Sequence, residues 1–426
     1  MKSLSWDNQR LKFAQIPILE LVKKYQTPLF VYDQDEILSR INTLKRVCRE
    51  YEDRMTIYYA SKAFLTLAMA HIIKDSEIGI DVASRGELFI AQKGHIDPTK
   101  ILYHGNNKSL EDISYAINRG VRKFVVDNMN ELILIKDISD DLAVELSVLI
   151  RVIPKVSNIN THKNITTGHH RSKFGIDMDL DFDRVFTFLP TAKHIHFKGF
   201  HVHVGSQLLS NESHLKAIDQ LFVYIKKLKE MYQISIEEIN MGGGFGIKYL
   251  ETDQPMTIQT FLDSIMQKIK TSAHTIHIPV PHVSIEPGRF IVGGTAIILY
   301  TVGSIKQGSP YPIAAINGGM TENLRVALYQ ANYQALLVDR KNQMEECYTI
   351  VGQACESTDV MIEQAKLPKL QKGDTIAFLN AGAYEHSLTN NFNKTLKPAV
   401  IMIHQGIDRV IQRRESYEDL ISRDDV

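Results

Sequence analysis

Eight short β-rich runs, with helical patterns between almost all of them, constrain this chain more than any other feature. The runs are TIYYA (56–60), IGIDVA (78–83), ILYHG (101–105), KFVVD (123–127), ELSVLIRV (145–152), KGFHVHV (198–204), EEINMG (237–242) and HVSIE (282–286). The clearest helix runs from about 212 to 232, with Leu215, Ile218, Phe222, Ile225, Leu228 and Met231 on one stripe after an Asn211 cap. Eight such units over about 250 residues match the size of a (β/α)8 barrel. A doubly wound open sheet also alternates but rarely needs eight units, so residues 36–290 are expected to close into a barrel. After Glu286 the texture changes. AIILYTVGSI, PIAAING, QALLVDR, CYTIVGQ, DTIAFLNAG, AVIMIHQG and DRVIQRRE read as strands joined by turns. They predict a second, all-β domain over 291–426, completed by residues 1–35 through the strand PLFVYD.

Composition excludes several classes of function. Lys plus Arg and Asp plus Glu both number 49, so no net charge points to nucleic acid or an anionic membrane. The three cysteines, Cys48, Cys347 and Cys355, form no CxxC pair and no disulfide ladder, which fits a reducing compartment. No apolar run reaches the ~18 residues of a membrane span, and MKSLSWDNQRLKF has no apolar signal core. A cytoplasmic protein without membrane or nucleic-acid partners is expected.

Barrel enzymes carry their chemistry at the C-terminal ends of the strands. Here the first strand ends in Lys62 and the second in Asp81 and Ser84. The third ends in His104-Gly105-Asn106-Asn107 and the fourth in Asp127-Asn128. The fifth carries Arg151, and the sixth gives His201, His203, Gly205 and Ser206. The seventh ends in Gly242-Gly243-Gly244-Phe245-Gly246 and the eighth in Glu286-Pro287-Gly288-Arg289. One polar residue after a strand is ordinary turn chemistry, but eight of eight at the same end calls for a site.

Lys62 stands between apolar neighbours at a strand-to-helix corner, where partial desolvation would lower its pKa and suit an amine nucleophile. A surface lysine closing a strand is the bland alternative. The glycine run departs from GxGxxG at Ile247 and lacks the Gly-Lys-Ser/Thr of a Walker loop. Its place after strand seven suits a phosphate held on backbone N–H groups, with Ser206 and Arg289 beside it; a structural turn is the alternative. A lysine, a phosphate cradle and the carboxylate Glu286 together suggest pyridoxal 5'-phosphate. Glu286 would face the pyridine nitrogen and His203 would stack on the ring.

Taken together, these stretches resemble the fold-type III pyridoxal-phosphate decarboxylases, and among them the diaminopimelate decarboxylase branch. The matching segments are YASKAF, DVASRGEL, HGNNKS, VVDN, ITTG with SKFG, HVHVGSQ, NMGGGFGI, EPGR, GGM with LRVALYQ, CES, and GAY with SLTNNFN, from about 28 to 400. The resemblance implies an alanine-racemase-like TIM barrel with a second β domain, and decarboxylation of meso-2,6-diaminopimelate at its D-centre to L-lysine. It makes Lys62 the Schiff-base lysine and His203 the stacking group. Asp81, Arg151, Ser206, Gly242, Gly243, Gly244, Glu286, Gly288, Arg289 and Tyr384 become cofactor contacts. Arg325 and Tyr329 would bind the distal carboxylate, Glu356 the distal amino group, and Arg289 and Tyr384 would also reach substrate. Cys355 would protonate the carbanion. Cys355 and Glu356 would cross a homodimer interface, and residues 161–175 would close over the site. His162, His169 and His170 read as loop polarity, and no metal is expected.

The chain departs from the family pattern at Asn317 before Gly-Gly-Met, Val326 after Arg325, Thr358 in the CES motif, and Glu385-His386 after GAY. Glu385 is expected to add a charge near the phosphate side. Three rival readings remain: a decarboxylase of lysine, ornithine or a specialised substrate, a racemase of the same barrel type, and a non-catalytic relative that binds a partner.

Overall fold

The computed structural model describes residues 1–51, 54–156, 172–341 and 344–425. The chain divides into two compact units. One holds residues 41–246 and 254–288; the other holds 1–40, 247–253 and 289–425 of the described residues.

In the first unit eight parallel strands close on themselves. They are Met55–Ala60, Gly79–Val82, Ile101–Tyr103, Lys123–Val126, Leu146–Arg151, Ile195–His201, Glu238–Asn240 and His282–Ile285. Each pairs with the next in sequence, and the eighth pairs with the first through Val283–Met55, Ser284–Thr56 and Ile285–Ile57. The strands are short, and most of their residues are buried. Buried strands on both faces are what an apolar run without alternation encodes. One irregularity bends the sixth strand between Phe197 and Gly199. There Gly199 takes φ +146°, and a Cβ would lie 1.9 Å from the carbonyl oxygen of Glu238. Only glycine fits that approach.

The helix read at 212–232 is Glu212–Tyr232. Its stripe lies slightly off the expected one. Ala217, Ile218, Leu221, Phe222, Ile225 and Leu228 are buried, whereas Met231 is exposed. Asn211 stands at the N-cap position but its side chain makes no capping bond. By contrast Ser84 and Asn128 do cap helices, accepting from the N–H of Glu87 and Glu131. Those two strand-end residues are turn chemistry.

The second unit is built on a nine-stranded mixed sheet. PLFVYD supplies Leu29–Asp33, wholly buried, which runs antiparallel to Ala296–Lys306 and parallel to Ala399–His404. Its core gathers Leu29, Val31, Ile297, Leu299, Val338, Ala377, Ile401 and Ile403 against Leu11, Phe13, Ile18 and Leu21. Two elements escape the sequence reading. A three-stranded sheet, Leu4–Asp7, Arg10–Phe13 and Ile16–Pro17, precedes the first helix. Val360–Pro368 is a strand despite its Glu, Gln and Lys; Met361, Ala365 and Leu367 are buried on one face, interrupted by exposed Glu363.

Candidate active site

The first barrel strand ends in a single 3₁₀ turn, Ser61–Ala63. Ser61 and Ala63 are buried, and the Tyr59 hydroxyl donates to the Phe64 carbonyl at 2.8 Å. Lys62 between them is exposed. The residue keeps more solvent contact than its apolar neighbours suggest, while its charge acts on buried Asp81 and on His203. The end of strand eight packs against this turn, since a Cβ on Gly288 would lie 2.9 Å from the Cβ atoms of Ala60 and Ala63.

Glu286, directly after the eighth strand, is buried inside a shell of neutral donors. Oε1 accepts from His104 Nε2 at 2.8 Å and Asn240 Nδ2 at 2.9 Å, and Oε2 accepts from His201 Nε2 at 3.3 Å. Burial lowers the His104 imidazole to about 4 and pushes His201 in the same direction. Burial alone would raise the Glu286 carboxyl, but the two histidines outweigh it and hold the group well below the usual carboxylate range. The result is an anion compensated by dipoles. The ligand atoms of His104, His201 and Glu286 lie within 4.8 Å of one another, a metal-like spacing. The ring nitrogens nevertheless face carboxylate oxygens as N–H donors, which reads as hydrogen bonding.

Asp81 and Arg151 stand at the same end. Burial and the Glu286 charge push Asp81 well above its usual value, against the pull of Lys62 and the Ser61 amide. Arg151 lies 3.9 Å from Asp127 and sits over the Phe174 ring at 4.3 Å. His203 is half-buried just beyond strand six, and its Nδ1 accepts the Gly243 N–H at 3.3 Å. Burial, reinforced by the Lys62 charge, holds this ring well below 6.5, so it is neutral.

The glycines after strand seven answer two demands at once. Gly242 and Gly244 take φ +62° and +98°. Cβ atoms on Gly242, Gly243 and Gly244 would lie 2.6, 2.3 and 2.5 Å from backbone oxygens of Val202, Glu286 and Gly205. The run is therefore a packing requirement as well as an open backbone face, with half-buried Ser206 following the neighbouring strand. Buried Ser61 Oγ, Asp81 Oδ2 and His201 Nδ1 have no hydrogen-bond partner among the described residues. Such orphaned atoms around a lysine and a held carboxylate suit a polar, aromatic ligand, and pyridoxal 5'-phosphate fits this donor set.

The β unit carries a cluster of its own. Arg289 donates from Nη1 to the Tyr249 hydroxyl at 2.5 Å, and its guanidinium lies 4.9 Å from the Tyr384 ring centre. Arg325 opens the short helix Arg325–Tyr329, with Tyr329 half-buried at its end. Its Nη1 donates to Glu385 Oε1 at 2.7 Å, to the Tyr249 hydroxyl at 3.3 Å, and to the Tyr333 hydroxyl. Tyr333 in turn donates to Glu385 Oε1 at 2.5 Å. Glu385 is the fully buried counter-ion of Arg325. Asn317 also finds its reason: its amide donates to Thr27 and accepts from the Thr301 N–H, a double role an aspartate lacks.

Cys355 and Glu356 are exposed on the loop between strands Glu345–Val351 and Val360–Pro368. Buried Asp359 anchors that loop by accepting the N–H groups of Met320 and Ala354 at 2.7 and 2.9 Å. Asn393 Oδ1 accepts the Cys355 N–H at 2.7 Å. No described contact joins this loop to Arg325. Residues 161–171, with His162, His169 and His170, lie outside the described residues. The sequence reading gave no role to His104, His201, Asn240, Tyr249 or Tyr333. The first three carried a signal, being polar residues at the ends of barrel strands; the tyrosines carried none.

Residues 35–293 match the family model described as pyridoxal-dependent decarboxylase, pyridoxal binding domain. The chain is 35% identical over 417 residues to a diaminopimelate decarboxylase of Bacillus subtilis, covering 97% of this chain and 95% of that one. It is 36% identical over 420 residues to that of Staphylococcus aureus, covering 98% of each. A crystal structure of diaminopimelate decarboxylase from M. jannaschii in co-complex with L-lysine superposes with a TM-score of 0.93 at 30% identity, covering 100% of this chain and 98% of that one. Among the described residues no helix is long and apolar enough to cross a membrane.

Proposed function

The chain belongs to the pyridoxal-dependent decarboxylases, and from that premise we propose the part each of its residues takes in the reaction. It is a carboxy-lyase that uses pyridoxal 5'-phosphate to convert meso-2,6-diaminopimelate into L-lysine and carbon dioxide, the last step of lysine formation. When bound, the cofactor supplies the electron sink for the pair left behind as carbon dioxide departs.

The observation that carries the assignment of roles is Glu286, a buried carboxylate kept anionic by neutral donors just after the strand that pairs with the one leading to Lys62. Lys62 presents the amine that tethers the cofactor and is exposed for that purpose. Glu286 holds a proton at the ring nitrogen, and His203 lies against the ring face. Gly242, Gly243, Gly244, Ser206, Gly288 and Arg289 hold the phosphate, with Asp81, Arg151 and Tyr384 as further contacts. Arg325 and Tyr329 orient the distal carboxylate, aided by Arg289 and Tyr384. Orientation of the scissile bond is worth more than any single proton transfer here.

Among the described residues, exposed Cys355 and Glu356 have no hydrogen bond to the Arg325 cluster of their own unit, which supports their donation to a second copy. In a homodimer built this way, Cys355 delivers the proton to the carbon that loses carbon dioxide and Glu356 takes the distal ammonium. We place the enzyme in the cytoplasm. The test is carbon dioxide release from meso-diaminopimelate, lysine and ornithine in parallel, with purified protein and pyridoxal phosphate. Release from diaminopimelate, abolished in K62A and strongly reduced in C355A, is expected. Full activity of C355A would remove the thiol from its role.

A further inference from the structure

We propose that Glu385 gives this enzyme a further activity: decarboxylation of diamino acids that have no distal carboxylate, D-lysine being the simplest. The inference rests on the reading above in which Arg325 receives the distal carboxylate. A site with an uncompensated buried arginine rejects a substrate lacking that carboxylate, because the guanidinium is left unpaired. Discrimination of this kind reaches about 10⁴–10⁵-fold.

Arg325 is not uncompensated here. It is buried, and Glu385 Oε1 lies 2.7 Å from its Nη1. Tyr249 and Tyr333 converge on the same nitrogen. Tyr333 also donates to Glu385 Oε1, while Oε2 is buried without a hydrogen bond among the described residues. Every hydrogen bond of Arg325 among the described residues uses Nη1, which leaves Nε and Nη2 to a bidentate carboxylate. When the substrate brings none, Glu385 still neutralises the guanidinium, and the penalty that enforces selectivity is removed.

The chemistry of the second substrate balances as the first does. The bond from Cα to its carboxylate breaks, carbon dioxide leaves, and the electron pair retained at Cα takes one proton. D-lysine yields pentane-1,5-diamine, with no oxidant or reductant required.

The experiment measures kcat/KM of the holoenzyme for meso-diaminopimelate and D-lysine, by carbon dioxide and by diamine product. In the wild type D-lysine is expected within about 10²-fold of diaminopimelate. In E385Q, where Arg325 loses its counter-ion, D-lysine falls by a further 10²-fold or so while diaminopimelate falls less than about tenfold. E385D restores D-lysine turnover, and the absorbance of bound cofactor reports that each variant is folded. Wild-type D-lysine turnover about 10⁴-fold below diaminopimelate overturns the inference and leaves the distal-carboxylate reading intact. Parallel loss of both substrates in cofactor-loaded E385Q also overturns it. Failure of the wild type on diaminopimelate overturns the underlying reading instead. The wild-type ratio decides the matter even if no variant folds.

Discussion

Glu286 in the barrel unit and Glu385 in the β unit are both buried carboxylates, yet their charges are met in opposite ways. Glu286 is held by two neutral imidazoles and an amide. Glu385 is locked to a guanidinium and a phenol. A charge held by neutral dipoles remains available to a cationic or proton-bearing ligand. A charge spent on a fixed counter-ion sets the electrostatics of its surroundings without offering itself. Lys108 and Glu131 show the purely structural version of the second kind, 2.7 Å apart and each about 2% exposed.

The comparison sharpens into measurements. The largest effect is expected for K62A, whose decarboxylation falls by on the order of 10³-fold or more, with loss of the cofactor absorbance. Retained absorbance and turnover would move the tether elsewhere. E131A leaves Lys108 buried and unpaired, so stability falls by about 3–5 kcal/mol by urea denaturation, with the chemistry of the surviving folded enzyme intact. E286Q removes an electrostatic contact made during the reaction, and kcat falls by about 10²–10³-fold with the fold preserved. An E286Q enzyme close to wild type would mean that the dipole-held anion has no catalytic use.

Acid separates the two kinds of site further. His104 and His214 are buried with folded values of about 4, against 6.5 for a free imidazole. The unfolded chain therefore binds protons that the folded one refuses. Stability is full above pH 6.5 and is lost as pH falls toward 4, by about 3 kcal/mol for each histidine. Urea midpoints at pH 7 and pH 4.5 measure the loss, and H214Q is expected to reduce it. The smallest change is expected for N128A. It removes the cap of helix Met129–Leu142 and costs about 1 kcal/mol with little effect on turnover. A large loss of activity there would show that this strand end belongs to the site.

The alternation of strand and helix made the barrel readable because each strand is an uninterrupted apolar run, short and bounded by turns. Lys62, Glu286 and the glycine run were readable for the same reason, since a polar or glycine residue at the C-terminal end of such a run has few structural uses. The boundary elements were less legible. Val360–Pro368 hides its alternation under charged residues, and the hairpin at residues 4–13 is too short to announce itself. Ser84 and Asn128 looked like site residues because a helix cap and a catalytic side chain occupy the same place after a strand.

Local sequence by itself determined the barrel, the lysine and the carboxylate, because periodicity and strand-end position are properties of neighbouring residues. Tertiary structure alone decided how the charges are balanced. Glu385 lies 60 residues from Arg325, and His104 lies 182 residues from Glu286. Nothing in either stretch encodes its partner. A buried charge is stabilised or left exposed to ligand by whatever the fold brings within about 3 Å, and that distance exists only once the chain has closed.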